Sequence, residues 1–431
     1  MTNQKSTIDL TRFVSIGDSI TAGYADGALY YEGQLNTYPN LIAQQYSLIS
    51  PISFKQALVD KHSVGVGFSG RSRLILKPDP NHPHSKLMVL GYLSETCDSN
   101  IFKNNSYISS GPFNNMAIPG AKAIHLIYPG YGNPEAGEGN YNLFFTRMAS
   151  NPQQASILSD AMTMQPNFFT LFIGNNDVLA FAMSGGTLDS ITPLEGPPGV
   201  GFHETLKYIT DTLTQSGAKG ILATIPNLIS IPFFNTIPYN GLLLNQEEVN
   251  RLSVQYKGMV FHPGNNAYIV EEFINDKPVI RQLKKGELIL SEILLDPLKD
   301  TYLSGSAPIP KKYTLTTQQV TFIEHTVNQY NNSIKTIAEE KQLGLVNLNR
   351  LLRNTKSDRY FDDKTRNIYY KQTGAFSLDG IHINSLGQSL LANEFIKAIQ
   401  KNYGLKIPRV PIFKFRKKFE YIVDVNIYRY I

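Results

Sequence analysis

Ser19 stands where an apolar run gives way to a helix-like pattern, in the stretch FVSIGDSITAGY. In parallel α/β sheets, ligands bind outside the carboxyl ends of the strands, and Ser19 follows such an end. Gly17 permits a tight turn, and the first N–H groups of the following helix would stabilise a negatively charged oxygen there. The position suits a nucleophile. Taken alone, however, the turn favours the plainer role of helix N-cap, for which serine is among the best residues.

A serine nucleophile needs an adjacent base, usually a histidine that a carboxylate orients. His382 has Asp379 three residues before it, in the loop SLDGIHINSLGQ ahead of the last predicted helix. The same spacing joins Asp79 to His82 in the Pro-rich stretch KPDPNHPH, so spacing alone does not discriminate. Context favours Asp379 and His382, which lie at a junction between a strand and a helix. Either pair, taken alone, is also typical of a surface loop.

Two further strand-to-helix junctions carry polar groups. Asn176 follows the strand-like run NFFTLFIG, and its amide can donate to a developing oxyanion or cap a helix equally well. Gly120, in NNMAIPGAKA, can present its backbone N–H to the same oxygen without a side chain in the way, although glycines are common in turns. Since each of these residues falls at a different junction, the joint pattern favours one catalytic site over several unrelated structural roles.

Strands and helices alternate through most of the chain, which predicts a parallel sheet covered by helices on both faces. The predicted strands are 13–16, a strand starting at 115, 167–174, 219–227 and the run GLVNLN. The predicted helices include 38–49, 202–214, 317–343 and 385–400. No linker before Gly404 is long or polar enough to separate domains. We therefore predict one domain over 1–405, with insertions at about 50–110 and 230–315.

The composition is that of a folded globular protein, with 42% hydrophobic and 17% charged residues among 431. The net charge of +5 equals that of the predicted basic-aromatic extension, 406–431, which has seven basic and two acidic residues. The remaining chain is neutral, so we expect no nucleic-acid partner. The extension could contact an anionic membrane or glycan, but a packed terminal segment with solvated charges is favoured.

Four sequence blocks resemble those of the SGNH/GDSL hydrolases, in the same order: GDS (17–19), N-x-x-x-P-G (115–120), GNND (174–177) and DGIH (379–382). The resemblance implies a three-layer α/β/α flavodoxin-like fold with a mostly parallel five-stranded sheet. It also implies hydrolysis of esters or thioesters without a metal. By position, Ser19 resembles the nucleophile, His382 the base and Asp379 its orienting carboxylate. The Ser19 N–H, Gly120 and Asn176 resemble the oxyanion hole.

The stretches AGYADGALY, IGNNDVLAFAMSGG and TIPNLISIPFF further resemble large GDSL-type proteins of Bacteroidetes bacteria, many of them exported lipoproteins. The first residues lack an apolar signal-like region, and no stretch approaches the ~18 apolar residues of a membrane span. We therefore expect a soluble chain. A chain that begins after a removed signal would look the same, so the compartment is left open, with an exported location implied by the resemblance.

No cofactor or metal is expected. Gly65, Gly67 and Gly70 satisfy G-x-G-x-x-G, but no clear strand leads into them and no helix follows directly. Ser69 lacks the G-x-S-x-G frame of α/β-hydrolases. Cys97 is the single cysteine, and no Cys/His spacing resembles a zinc site.

The expected substrates are lipid or other acyl esters, with carbohydrate acetates and thioesters as alternatives. A ligand-binding protein that keeps the scaffold without turnover is a further alternative, and the intact set of site residues argues against it.

Overall fold

A computed structural model describes residues 8–68, 70–78, 88–97, 111–137, 139–188, 191–348, 359–362, 367–371, 374–415 and 420–424. The α-helices of this part, in chain order, are α1 (Ser19–Ala22), α2 (Tyr31–Leu35), α3 (Tyr38–Tyr46), α4 (Leu143–Thr146), α5 (Ile157–Met162), α6 (Asn176–Met183), α7 (Phe202–Thr214), α8 (Pro232–Asn235), α9 (Gln246–Gln255), α10 (Lys299–Leu303), α11 (Thr317–Glu340) and α12 (Ser385–Tyr403).

The strands of the same part are β1 (Phe13–Gly17), β2 (Leu74–Pro78), β3 (Met88–Tyr92), β4 (Asn115–Ala117), β5 (Phe168–Phe172), β6 (Lys219–Ala223), β7 (Leu242–Leu244), β8 (Gly264–Asn266), β9 (Ile269–Ile274), β10 (Lys277–Gln282), β11 (Leu288–Ile289), β12 (Thr314–Leu315), β13 (Gly344–Val346), β14 (Arg359–Asp362), β15 (Asn367–Lys371) and β16 (Glu420–Asp424).

The central sheet holds five parallel strands in the order β13-β6-β5-β1-β4. Numbered within the sheet from the β4 edge, this is the 2-1-3-4-5 order of flavodoxin-like proteins. The register sets Gly17 beside Ala117 on one side and Phe172 on the other. The segments that follow β1, β4 and β5 therefore leave the sheet side by side, at the carboxyl ends of the strands.

Both faces of the sheet are covered by helices. The strands β1 (FVSIG) and β5 (FFTLF) are buried at every residue, as expected of parallel strands between two helical layers. On one face, α3 and α12 meet where Tyr38 stacks on Phe395, with ring centroids 4.4 Å apart. On the other face, α7 and α11 meet where Phe202 stacks on Tyr330 at 4.0 Å. The predicted three-layer α/β/α fold with a parallel five-stranded sheet is confirmed.

The long helices begin and end at local signals in the sequence. Thr316 and Gln319 form a reciprocal capping box at the start of α11. Asn384 caps α12, and Gly404 ends it in the left-handed conformation, with φ 75°. Several predicted elements are too long. The helix predicted over 38–49 ends at Tyr46, and the strand predicted over 219–227 ends at Ala223.

The two predicted insertions form structure of their own. In the first, β2 and β3 pair as an antiparallel hairpin. The second contains the hairpin of β9 and β10 and a separate cluster of buried apolar side chains, among them Leu252, Ile269 and Ile309. In the C-terminal extension, β16 pairs antiparallel with β15. The domain boundaries themselves stay a prediction.

No helix within the described part of the chain is long and apolar enough to span a membrane.

Candidate active site

Ser19 is the first residue of α1, and it is not the residue that caps this helix. Asp18 is the N-cap, because its Oδ1 accepts a hydrogen bond from the N–H of Ile20 at 3.1 Å. The Ser19 hydroxyl points elsewhere, to His382. The prediction that Ser19 caps the helix, which the turn alone favours, is therefore wrong. The Ser19 hydroxyl is free of that role and can serve another function.

The side chains of Ser19, His382 and Asp379 form one hydrogen-bonded chain. His382 Nε2 lies 2.9 Å from Ser19 Oγ, and His382 Nδ1 lies 2.9 Å from Asp379 Oδ2. Ser19 and His382 are only 6% and 8% exposed. Residues 363 positions apart are thus joined because β1 and the loop before α12 end at the same edge of the sheet.

The ionisation of Asp379 fixes the protonation of the histidine ring. Burial alone would raise the pKa of Asp379, but the charge and hydrogen bonds of His382 and the N–H of Ile381 outweigh it and hold that pKa well below its usual value. An ionised carboxylate only accepts hydrogen bonds, so His382 Nδ1 carries the proton. In the neutral ring, Nε2 is then an acceptor, and the Ser19 hydroxyl donates to it.

The backbone holds Asp379 in place from two segments. Its Oδ1 accepts hydrogen bonds from the N–H groups of Ile381 and His382 and from the Ser377 hydroxyl, at 2.8–2.9 Å. Its Oδ2 accepts a further bond from the N–H of Gly27 at 2.9 Å. The loop after α1 therefore contributes directly to the carboxylate that orients His382.

Asp26 also connects the loop after α1 to the loop before α12. Its Oδ1 accepts from the N–H of Leu378 at 2.8 Å, its Oδ2 accepts from the Tyr30 hydroxyl at 2.9 Å, and its own N–H donates to Ser377 Oγ at 3.0 Å. Sequence reasoning missed Asp26 and Ser377 as site residues. The stretch AGYADG attracted notice only through its resemblance, since no local spacing reports a partner about 350 residues away.

The candidate oxyanion donors lie at the ends of three neighbouring strands. Ser19 follows β1, Gly120 follows β4 with φ 79°, and Asn176 follows β5. Asn176 is the first residue of α6, while Asn175 holds the N-cap position, so the N-cap alternative for Asn176 is wrong. One N–H of the Asn176 amide donates to the carbonyl of Ala121 at 3.0 Å, which leaves the second for another acceptor.

Asp18 is a fully buried carboxylate beside the candidate nucleophile. Burial raises the pKa of Asp18 from 3.8 to about 6, although hydrogen bonds from Asn175 and from the N–H of Ile20 act in the opposite direction. The Asn175 amide donates to Asp18 Oδ2 at 2.7 Å. Above this pKa, the turn before Ser19 thus carries a buried negative charge that lowers the stability of the fold.

An aromatic wall, formed by Tyr24, Phe68 and Phe144, borders the site. The Tyr24 ring lies 4.9 Å from the His382 ring, and the Phe68 ring lies 5.4 Å from Tyr24 and 5.1 Å from Phe144. Phe68 is 58% exposed, and its ring lies 2.8 Å from where a Cβ on Gly120 would be. The wall gives the site an apolar surface.

The other sequence candidates lie partly in a loop and partly outside the described residues. Gly65, Gly67 and Gly70 lie in a loop that no helix follows directly. Asp79, His82 and Ser69 lie outside the described residues. Within the described ranges, no group of three or more His, Cys, Asp or Glu side chains could hold a metal ion.

The sheet order and the Ser-His-Asp geometry at its carboxyl edge indicate a hydrolytic enzyme of the α/β class. A family model described as GDSL-like lipase/acylhydrolase matches residues 13–395, from the start of β1 into α12. The protein belongs to the GDSL-like lipase/acylhydrolase family and is an ester hydrolase. The predicted family and enzyme class are confirmed.

Three solved structures are similar to the chain at low identity. An acetyl xylan esterase from Geobacillus stearothermophilus is 14% identical, with 91% of this chain and 94% of that chain covered and a TM-score of 0.34. An extracellular lipase from Streptomyces rimosus is 11% identical, covering 90% and 98%, also at 0.34. An α/β hydrolase from the metagenome of Lake Arreo, Spain, is 13% identical, covering 90% and 93%, at 0.34.

At these TM-scores, the three similarities support no conclusion about fold or function. No curated protein sequence gives a significant match to the chain.

Proposed function

We propose that the protein cleaves carboxylic esters through a Ser19–His382–Asp379 triad and an acyl-enzyme intermediate. The observation that carries the proposal is the hydrogen-bonded chain from Ser19 Oγ through the His382 ring to Asp379, with both links at 2.9 Å. A nucleophile, a base and an orienting carboxylate in this contact are suited to the acylation of a serine.

In the first step, His382 Nε2 takes the proton of the Ser19 hydroxyl while Oγ attacks the ester carbonyl carbon. The carbonyl oxygen gains negative charge and accepts hydrogen bonds from the N–H groups of Ser19 and Gly120 and from the Asn176 amide. His382 then protonates the leaving alcohol, and the acyl group stays on Ser19. Asp379 remains ionised and stabilises the imidazolium.

In the second step, a water molecule replaces the alcohol. His382 takes a proton from this water as its oxygen attacks the acyl carbon, and the same donors stabilise the second oxyanion. His382 returns the proton to Ser19 Oγ, and the acid leaves. The enzyme returns to its starting state with no cofactor and no metal in the reaction.

The aromatic wall supports substrates with an apolar group next to the ester bond, as in lipid or other acyl esters. Tyr24 and Phe68 would contact that group beside the reacting carbon. Turnover of p-nitrophenyl esters from acetate to palmitate tests this. A profile that rises with chain length supports acyl esters of lipid type, and one confined to acetate would favour small acyl groups such as carbohydrate acetates. Matched thioesters test the third class.

Loss of the nucleophile should nearly abolish turnover. We expect Ser19→Ala to lower kcat by several decades, since the hydroxyl that forms the acyl-enzyme is absent. His82→Ala alters the alternative D-x-x-H pair and should keep wild-type turnover of p-nitrophenyl acetate. Wild-type activity in purified Ser19→Ala protein would remove the nucleophile assignment. Activity lost in His82→Ala but kept in His382→Ala would transfer the base to the other pair.

Loss of an oxyanion donor should slow the chemistry without weakening substrate binding. We expect Asn176→Ala to lower kcat by about 10²–10³ with little change in KM, because the amide bonds the oxygen only as its charge develops. Steady-state kinetics of the variant beside the wild type measure both constants. A rise in KM with unchanged kcat would place Asn176 in ground-state binding instead.

A further inference from the structure

Gly120 lies in a tight turn that follows β4. The N–H of Ala121 donates to the carbonyl of Ile118 at 3.1 Å, and Gly120, the third residue of the turn, has φ 79°. A four-residue turn with this hydrogen bond and a positive φ at its third position is of type II, and proline is common at its second position, here Pro119.

The central peptide of this turn takes no part in the hydrogen bond that closes it. The Pro119 carbonyl and the Gly120 N–H belong to one planar trans unit, so they point in opposite directions. Types I and II differ by a half-turn of this peptide, which exchanges the two directions. Whatever holds the Pro119 carbonyl therefore sets the direction of the Gly120 N–H.

Asn142 holds that carbonyl. Its Nδ2 donates to the Pro119 carbonyl at 2.8 Å, and it also lies 3.7 Å from the position of a Cβ on Gly120. Asn142 is 7% exposed and comes directly before α4, in a segment more than twenty residues beyond the turn. The bond is buried, where an amide-to-carbonyl contact is stronger than in water.

The orientation of the Asn142 amide is fixed by the N–H of Phe144, because a hydroxyl such as that of Tyr131 can either donate or accept. Nδ2 also lies 3.1 Å from the Tyr131 hydroxyl, and Oδ1 accepts from the N–H of Phe144 at 2.9 Å, which caps α4. Exchange of the amide oxygen and nitrogen would set a donor against the Phe144 N–H and an acceptor against the Pro119 carbonyl. The side chain therefore presents its donor to the turn.

We propose that Asn142 is a positioning residue that directs the Gly120 N–H toward the carbonyl oxygen of the substrate. It touches no substrate atom and acts through the Pro119–Gly120 peptide. Within the described residues, the Gly120 N–H donates no hydrogen bond, so this group is available to the oxyanion. The inference rests on the proposed function and adds a residue to it.

The test compares Asn142→Asp, Asn142→Ala and the control Tyr131→Phe. Asn142→Asp keeps the size and the cap of α4 but replaces the donor to Pro119 with an acceptor. Tyr131→Phe removes only the second partner of the amide. We expect kcat on p-nitrophenyl acetate to fall about ten- to a hundredfold in both Asn142 variants, less than for outright loss of a donor, with KM nearly unchanged. Tyr131→Phe should stay near wild type.

A second readout separates positioning from a merely structural role. A boronic acid adds to the serine hydroxyl and leaves a charged oxygen in the oxyanion hole, so its affinity should fall by the same factor as kcat. Affinity for the alcohol product should not change. Melting temperatures show whether each Asn142 variant is folded at the assay temperature. The loss of kcat and of boronate affinity is expected in each variant that is folded.

Wild-type kcat and boronate affinity in either folded Asn142 variant would overturn the inference, and so would an equal loss in Tyr131→Phe. Failure of the proposed function has a different signature, because Ser19→Ala would then keep its turnover.

Discussion

Asp379 and Asp18 are two buried carboxylates near one serine, and their pKa values shift in opposite directions. Asp379 accepts hydrogen bonds from Gly27, Ser377 and the loop that carries it, and its pKa is lowered despite burial. Asp18 has fewer donors, and burial raises its pKa to about 6. The difference follows mainly from His382, whose charge and hydrogen bonds favour the ionised form of Asp379, with a further contribution from the N–H of Ile381. Asp379 therefore stays ionised at all working pH values, whereas ionised Asp18 lowers the stability of the folded state.

Replacing Asp379 by asparagine should leave the loop in place and reverse the histidine tautomer. The amide would present an N–H to His382 Nδ1, so Nε2 would carry the ring proton and could not accept from Ser19. We expect Asp379→Asn to lower kcat by about 10⁴ near neutral pH, with a melting temperature close to wild type. Retained activity would show that Asp379 does not set the tautomer.

The raised pKa of Asp18 predicts a gain in stability on neutralisation. The folded state binds this proton more tightly than the unfolded state, so the favourable contribution is present below the unfolded value of 3.8 and is lost as pH rises through about 6. We expect Asp18→Asn to be more stable than wild type at pH 7 by about 1–3 kcal/mol, with the advantage gone by about pH 4.

Denaturant unfolding of wild type and Asp18→Asn across this pH range measures the difference. The lowered pKa of Asp379 gives the opposite pH dependence, with stability lost as pH falls, but it affects both proteins equally and cancels. An advantage for the variant that is the same at pH 4 and pH 7 would contradict the prediction.

At the level of elements, the loop after α1 and the loop before α12 meet at the proposed triad, and Asp26 joins them. Asp26 has φ 53°, so alanine there would add backbone strain to the loss of the carboxylate. Asp26→Gly removes the side chain without that strain, while Asp26→Asn keeps an acceptor for the N–H of Leu378 and tolerates the same backbone. The two variants form a matched pair.

We expect Asp26→Gly to lower kcat by about ten- to a hundredfold, because a loosened loop displaces His382 from Ser19. Asp26→Asn should stay within a few-fold of wild type. Steady-state kinetics with melting curves measure both. Equal losses of kcat in the two variants would mean that the negative charge of Asp26, rather than the hydrogen bond from the N–H of Leu378, holds the loop in position.

The sequence predicts the long elements better than the short ones. Helix α7 was expected over 202–214 and spans Phe202–Thr214, because its apolar positions repeat at a helical period over several turns. Helices α1 and α4 hold four residues each, too few for any period to show. The separate apolar cluster of the second insertion was not foreseen, since its strands are short and their partners distant in sequence.

The candidate site follows the same rule. Ser19, Gly120, Asn176, Asp379 and His382 could be predicted, because their joint pattern at strand-to-helix junctions and the resemblance of the four sequence blocks point to one site, although each local pattern alone is ambiguous. Asn142 and Asp26 were not, because their roles depend on contacts with distant segments that no spacing encodes.

Across the whole molecule, segments distant in sequence converge on one serine. The parallel sheet makes this possible, because β1, β4 and β5 end at one edge and the loop before α12 returns to it. The insertions lie outside this framework and supply surfaces such as Phe68. The proposed reacting groups lie at the carboxyl ends of the sheet strands, whereas Phe68 of the first insertion adds an apolar surface beside them.

Covalent labelling of the intact protein tests this convergence most directly. A fluorophosphonate reacts much faster with a serine whose hydroxyl is activated by a base than with other side chains, and peptide mapping by mass spectrometry locates the adduct. We expect a single adduct on Ser19, loss of activity in step with labelling, and labelling at least about a hundredfold slower in His382→Ala. An adduct on another residue, or full activity with Ser19 modified, would contradict the account.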